Sequence, residues 1–169
     1  MNRNPVNFGD YVAYEKREDK KRIITFEDIK MDNIVVDARR VLWDPESEKI
    51  VNDFIKNKIE FVTTVPCKQL AGVIDEIETS KDIYHIPSNK EDEGMGLCAG
   101  AYMGGKRSAI IMQNTAIGVT INTLVTLIQY YNIPLPMLIS YRGEIGEPVA
   151  CQVEMAVHTK ALLNQLNIP

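Results

Sequence analysis

The stretch "RSAIIMQNTAIGVTINTLVTLIQYYNIPLPMLISY" (residues 107–141) decides the fold. Its opening residues, 107–114, form an apolar run that predicts a buried strand, and residues 135–141 predict a second strand. Residues 115–132 lie between them and carry apolar side chains at helical spacing: Ile117, Ile121, Leu124 and Ile128. A strand, a helix and another strand in this order predict two parallel strands joined by a crossover helix.

The same alternation continues from this stretch toward both ends of the chain. Further short apolar strands are predicted over residues 59–66 and 82–87. Further helices are predicted over residues 44–58, 67–80, 89–104 and 150–166. Because the strands lack strict alternation of polar and apolar residues, they are expected to be buried on both faces. The sequence therefore predicts an α/β fold in which a mostly parallel sheet is the middle layer of a three-layer helix–sheet–helix arrangement.

The regular pattern starts near residue 44, so one domain is expected over residues 44–169. Residues 1–43 form an N-terminal extension of unknown role. Within it, "YEKREDKKR" (14–22) is a charge run that predicts a solvated surface segment. "NIVVDARRVL" (33–42) fits either a short strand or a short helix.

The composition excludes several classes of protein. The 169 residues carry a net charge of -4, which argues against a nucleic-acid partner, since such proteins usually have a basic excess. The 3 cysteines are too scattered for a disulfide framework or a metal site and fit a reducing cytoplasm. The sequence contains neither a signal peptide nor the roughly 18 consecutive apolar residues typical of a membrane span. We therefore expect a cytoplasmic protein with no membrane partner.

Polar residues cluster where the predicted strands end. In parallel α/β sheets, ligands bind in the crevice outside the carboxyl ends of the strands. Four such ends are expected to contribute loops to one site: residues 65–69, 86–94, 112–118 and 140–148.

The segment "SNKEDEGMGLCAGAYMGG" (88–105) follows one of these ends and has two interpretations. Ser88 and Glu91 have the spacing of a capping box, which is a structural role. Alternatively, Glu91 faces a bound ring and shares a proton with an aromatic nitrogen. Gly96, Gly100 and Gly104 recur every fourth residue and share a helix face, which would allow close approach of a backbone or a flat ligand.

The other polar residues at the strand ends also have a functional and a structural interpretation. Gln113 and Asn114 either contact a ligand, or Asn114 or the residue after it caps the following helix. Arg142 either binds an anionic group of a substrate, for which the guanidinium fork is suited, or it pairs with Glu144 or Glu147.

The histidines and cysteines give no catalytic pattern. His85 lies within a predicted apolar strand and is expected to be a core histidine, whereas His158 is expected at the surface. Cys98 is expected in the core. Cys67 follows a strand end and is a candidate reactive thiol, although burial is the simpler expectation.

Several motifs, taken in order, resemble the alpha subunits of sulfopyruvate decarboxylases, which act in the coenzyme M pathway of methanogenic archaea. They are "VPCKQL" (65–70), "IPSNKEDEGMGLCAGAYMGGKR" (86–107), "AIIMQN" (109–114) and "LISYRGEIGE" (138–147). The resemblance covers about residues 45–169. The related phosphonopyruvate decarboxylases share the acid-rich helix, and both groups are thiamine-diphosphate decarboxylases.

The resemblance implies that the chain is a pyrimidine-binding domain. In the family, a glutamate at the head of this helix bonds a ring nitrogen of the aminopyrimidine. An ungapped match through Ala99-Gly100 selects Glu91, whereas a match to the local Glu-Gly pair selects Glu93. The resemblance also implies contacts to the cofactor or the substrate from Pro66, Gln113, Asn114, Gly118 and Arg142. Relatives continue "MQN" as Ser-Gly-Leu-Gly-Asn, and this chain keeps only the second glycine of that run, Gly118.

The resemblance further implies a separate beta subunit that carries the diphosphate-binding domain and the magnesium ion. This chain has no Gly-Asp-Gly, the family's diphosphate motif. The implied reaction is decarboxylation of 3-sulfopyruvate, a small 2-oxo acid, to sulfoacetaldehyde. The alternatives are a subunit that decarboxylates phosphonopyruvate or another 2-oxo acid, and a non-catalytic α/β regulatory subunit.

Overall fold

The computed structural model describes residues 34–36 and 45–168. The strands are β1 (Ile34–Val36), β2 (Phe61–Thr64), β3 (Tyr84–Pro87), β4 (Ser108–Gln113) and β5 (Met137–Ser140). The helices are α1 (Pro45–Lys56), α2 (Ala71–Thr79), α3 (Glu91–Met103), α4 (Ile117–Thr123) and α5 (Ala150–Gln165). The alternating pattern predicted from the sequence is confirmed, with most elements a few residues shorter than expected.

The five strands form a single sheet in the order β1-β5-β4-β2-β3. Every neighbouring pair is parallel. The segment 33–42, which fitted a strand or a helix, contains strand β1. The start of the domain at residue 44 stays a prediction, because residues 1–33 and 37–44 lie outside the described part of the chain.

Helices cover both faces of the sheet. On β4, Ile110 and Met112 belong to one core cluster, while Ala109 and Ile111 belong to the other. The first cluster includes residues of α3, α4 and α5, and the second includes residues of α1 and α2. Both faces of the strand are therefore apolar, which explains why the sequence lacks strict alternation and confirms the three-layer arrangement.

The long helix predicted over 115–132 is less regular than expected. It starts with a 3₁₀ turn, Asn114–Ala116, and continues beyond α4 as a π-helical segment, Leu124–Gln129. Thr126 Oγ1 donates to Asn122 O at 2.8 Å, so this carbonyl is already engaged by a side chain. Such a side-chain bond competes with the regular backbone hydrogen bonds of an α-helix. The periodicity of apolar residues does not reveal this competition, so the sequence predicted a regular helix. None of the described helices is long and apolar enough to cross a membrane.

Candidate active site

Because all the strands are parallel, their carboxyl ends lie along one border of the sheet, here called the carboxyl edge. In the described part of the chain, the loops that leave this edge follow β2, β3, β4 and β5 and are residues 65–70, 88–90, 114–116 and 141–149. Of the candidate site residues, Pro66, Asn114 and Arg142 lie in these loops, and Gln113 is the last residue of β4. Glu91, Glu93 and Gly118 lie in the first turns of α3 and α4.

Glu91 is the first residue of α3 and begins the helix at the carboxyl edge. The residue is half-buried. Its carboxylate has no hydrogen bond or ion pair with any residue in the described part of the chain. A partly desolvated acid without a partner of its own is available to bind a ligand.

The predicted capping box between Ser88 and Glu91 is wrong. The helix cap is Lys90, which makes no side-chain bond, and Ser88 is buried and accepts a hydrogen bond from Thr63 Oγ1 at 3.3 Å. Instead, Glu93 Oε2 accepts a bond from the backbone N–H of Asn89 at 3.2 Å. The acid that reaches back to the helix start is therefore Glu93, which is exposed.

Two kinds of glycine lie in α3. A Cβ on Gly94 would lie 2.8 Å from Ser88 Oγ and 3.1 Å from Ile110 Cδ1, so this glycine lets the start of α3 pack closely against the sheet. A Cβ on Gly96 or Gly100 would meet nothing within 4 Å. The small-residue face predicted from the spacing thus faces outward from the described chain.

Asn114 joins three elements at the carboxyl edge and is fully buried. Its Nδ2 donates to Arg142 O at 3.0 Å and to Thr159 Oγ1 at 3.1 Å, and its Oδ1 accepts from Arg142 N at 3.0 Å. The expectation that Asn114 caps the next helix is wrong, because the 3₁₀ turn begins without a side-chain cap. Both amide donors are engaged within the chain, and a contact of Asn114 with the cofactor stays a prediction.

Arg142 pairs with Glu147, one of the two acids predicted as its partner. Arg142 Nε and Nη2 donate to Glu147 Oε2 and Oε1 at 2.7 and 2.6 Å. The side chains are only 12% and 5% exposed. Hydrogen bonding within this pair lowers the pKa of the Glu147 carboxyl and raises the pKa of Arg142. The pair is charged at neutral pH and closes the loop between β5 and α5.

Pro66, Gln113 and Gly118 lie at the carboxyl edge, as expected. Pro66 is exposed after β2, and Gln113 is the half-buried last residue of β4. Gly118 is exposed in the first turn of α4. A Cβ there would meet only Met155 Cε at 3.8 Å, so packing within this chain does not require glycine. Their contacts with a cofactor stay predictions.

The cysteines and histidines have structural environments. Cys67 is buried, and its Sγ lies 3.1 Å from Ser140 Oγ in a hydrogen bond. Cys98 is also buried, and burial raises the pKa of its thiol to about 12. His85 Nε2 lies 2.9 Å from Thr64 Oγ1, and burial lowers the pKa of this histidine. His158 is exposed. The expected burial of both cysteines and the surface position of His158 are confirmed.

Glu147 and Ser140 were not among the candidate site residues, although the structure brings both to the carboxyl edge. The sequence signal for Glu147 was its spacing from Arg142, whereas Ser140 was marked only as the first residue of the predicted strand end 140–148. Among the described residues, no group of three or more His, Cys, Asp or Glu side chains is placed to hold a metal ion.

Comparison with known proteins adds the family. No family model matches the chain. It is 41% identical over 123 residues to the sulfopyruvate decarboxylase subunit alpha of Methanococcus maripaludis, a match that covers 73% of this chain and 74% of that protein. The chain belongs to the sulfopyruvate decarboxylase alpha-subunit family. The resemblance stated from the motifs is confirmed.

Two further relatives of the chain are much longer than the part of them that it matches. The sulfopyruvate decarboxylase of Methanosarcina acetivorans is 32% identical over 120 residues, which are 71% of this chain but 30% of that protein. The phosphonopyruvate decarboxylase of Streptomyces viridochromogenes is 30% identical over 86 residues, which are 51% of this chain and 22% of that protein. The phosphonopyruvate enzyme is thus the more distant relative.

Proposed function

We propose that this chain is the alpha subunit of a sulfopyruvate decarboxylase. The reaction takes up a proton, cleaves the carboxylate of 3-sulfopyruvate as carbon dioxide and leaves sulfoacetaldehyde, a step of coenzyme M biosynthesis. The observation that carries the proposal is Glu91, a half-buried carboxylate at the carboxyl edge that has no partner among the described residues. Family membership supplies the substrate.

The residues at the carboxyl edge fit the pyrimidine end of thiamine diphosphate. Glu91 would bond a ring nitrogen of the aminopyrimidine and hold a proton there, whereas Glu93 is engaged with the backbone of Asn89. Pro66, Gln113 and Gly118 would line the ring, and the buried Asn114 would hold the loop beside it. When bound, the cofactor supplies the electron sink for the electrons that departing carbon dioxide leaves behind.

The proposed partner is a beta subunit that carries the diphosphate-binding domain and magnesium. Two observations support a partner. The Methanococcus relative is itself called a subunit. The Methanosarcina relative lacks that word in its name, and most of its length lies outside the matched part. We propose that the beta subunit supplies what the rest of that longer chain supplies.

The beta subunit would bind a surface formed by outward residues of α3, of α4 and of the π-helical segment after α4. This surface is here called the α3–α4 face: Gly96, Gly100, Met103, Val119 and Val125. The two helices contact each other. Met103 and Val119 are 64% and 61% exposed, and Val125 is also exposed. Residues 94–105 and 108–141 contain all five positions and include no charged side chain, although 25% of the whole chain is charged. An exposed apolar surface without charge is typical of the core of a protein interface.

The decisive experiment is decarboxylation of 3-sulfopyruvate by the chain purified together with its beta subunit. We expect sulfoacetaldehyde and carbon dioxide in equal amounts, with activity that depends on added thiamine diphosphate. Faster turnover of 3-phosphonopyruvate would assign a different substrate, and an inactive complex would favour a regulatory subunit.

The cytoplasm is the proposed location, since Cys67, Cys98 and Cys151 are free thiols.

A further inference from the structure

The carboxylate of Glu147 accepts four hydrogen bonds. Two come from Arg142, as described above, and two come from the backbone N–H groups of Gly143 at 3.2 Å and Val149 at 3.1 Å. The loop fits tightly here, because Gly143 has φ 89° and a Cβ at this position would overlap Gln152 O. Glu147 therefore has little freedom to move relative to its loop.

This arrangement leaves one side of the Arg142 guanidinium unused. Glu147 takes Nε and one hydrogen of Nη2, which is a side-on pairing. The two hydrogens of Nη1 and the second hydrogen of Nη2 have no acceptor among the described residues. The backbone of Arg142 is fixed as well, since its N and O both bond to Asn114. The direction of the unused donors is therefore fixed, because Glu147 holds the side chain of Arg142 and Asn114 holds its backbone.

Such a set of donors suits an anion with several oxygens. A guanidinium that is paired side-on with one carboxylate can still donate two parallel bonds to a second group. The loop of Arg142 leaves β5, and α3 with Glu91 follows β3, three strand spacings away. At about 4.8 Å per strand, the ends of β5 and β3 are roughly 14 Å apart along the carboxyl edge. Arg142 is therefore suited to the distal anionic group of a substrate rather than to the pyrimidine that Glu91 holds.

We propose that Glu147 is a positioning residue for substrate specificity: it aims the unused donors of Arg142 at the sulfonate of the 2-oxo acid. This inference rests on the proposed function and adds to it the residue that sets the direction of the anion-binding group. Glu147 does not contact the substrate and acts through Arg142.

The test compares Glu147→Gln with Glu144→Gln in the two-subunit enzyme. Both changes remove one acid from the same loop, but Glu144 is exposed and makes no bond to Arg142 that the structure shows. Glu147→Gln should raise the KM for 3-sulfopyruvate about tenfold and change kcat less than about twofold, because ground-state and transition-state binding of the sulfonate weaken together. The affinity for thiamine diphosphate, measured separately by calorimetry, should stay unchanged. Glu144→Gln should leave all three values unchanged.

A second comparison shows whether Glu147 acts through Arg142. Arg142→Gln alone should raise the KM, and adding Glu147→Gln to it should raise the KM no further. An unchanged KM in Glu147→Gln, a further loss in the double variant, or a parallel loss of thiamine diphosphate affinity would overturn the proposal. If neither Glu147→Gln nor Arg142→Lys assembles with the beta subunit, the pair is purely structural and the proposal is again overturned. A wild-type complex without activity on 3-sulfopyruvate would instead overturn the proposed function.

Discussion

Glu91 and Glu93 show at the scale of single residues how position alone separates two identical side chains. Glu91 is half-buried at the first position of α3, and Glu93 is exposed and bonded to the helix start. The motif match to the family did not decide which of the two acids bonds the pyrimidine ring. The structure gives them different surroundings because residues two positions apart on a helix point in different directions.

We expect Glu91→Gln to lower decarboxylase activity at least about a hundredfold, since an amide cannot exchange a proton at the ring nitrogen. Glu93→Gln should retain most of the activity, because the Glu93 carboxylate is already bonded to the backbone at the helix start. The measurement is kcat of the two-subunit enzyme, with gel filtration to show that assembly is intact. The opposite ranking of the two variants would transfer the proposed role to Glu93.

Asn114 is expected to contribute to stability through its three hydrogen bonds. Asn114→Ala would leave the backbone of Arg142 and the hydroxyl of Thr159 without these partners in a buried region, at a cost of roughly 2–4 kcal/mol in the free energy of unfolding. Asn122→Ala, at an exposed position of α4, is the matched control and should change it by less than about 0.5 kcal/mol. Urea unfolding of the full chain measures both, and equal values would contradict this assignment.

At the scale of elements, the glycines of α3 lie in two different environments, one closely packed and one open. Gly94 faces the sheet and packs against Ser88, Thr63 and Ile110, whereas Gly96 and Gly100 face outward. The sequence showed only their spacing. Which face a helix turns to the core depends on contacts with residues far away in the chain, and α3 has apolar residues on too many sides to indicate it.

The two kinds of glycine predict opposite effects of alanine. Gly94→Ala should destabilise the chain by about 1–3 kcal/mol, because the added methyl group would press against Ser88 Oγ and Thr63 Cγ2, at 2.8 and 3.2 Å. Gly96→Ala has open space and should stabilise the helix by up to about 1 kcal/mol. Thermal or urea unfolding distinguishes them, and a stabilised Gly94→Ala would contradict the close packing.

At the scale of the whole molecule, the order of elements was predictable and the order of strands was not. The inner strands β2, β4 and β5 are buried and produce continuous apolar runs, so the sequence predicted an α/β sandwich with its site at the strand ends. The expected burial of β3 on both faces is wrong, because β3 lies at the border of the sheet. The neighbours of each strand depend on tertiary contacts that local patterns do not encode. The same reason explains the wrong assignments of Ser88 and Asn114, whose partners Thr63 and Thr159 lie 25 and 45 positions away.

The α3–α4 face predicts which surface change separates the subunits. Val119→Glu places a charge on this face and should abolish co-elution with the beta subunit, because an unpaired charge would be buried in the interface. Val157→Glu is the matched control, since Val157 on α5 is 63% exposed and Val119 is 61% exposed. Gel filtration of the co-expressed chains measures this. Dissociation caused by Val157→Glu but not by Val119→Glu would place the interface elsewhere.

The pairing of β1 with β5 also constrains how the chain folds as it is synthesised. Ile34 lies beside Leu138, so the first described strand has its only partner in the last one. At ribosomal rates of about 5–20 residues per second, β5 would be synthesised roughly 5–20 s after β1. The strands β2, β3 and β4, which are synthesised before β5, can pair with one another during this time. We therefore expect the sheet to grow from its β2–β3–β4 side, with the β1 border added last.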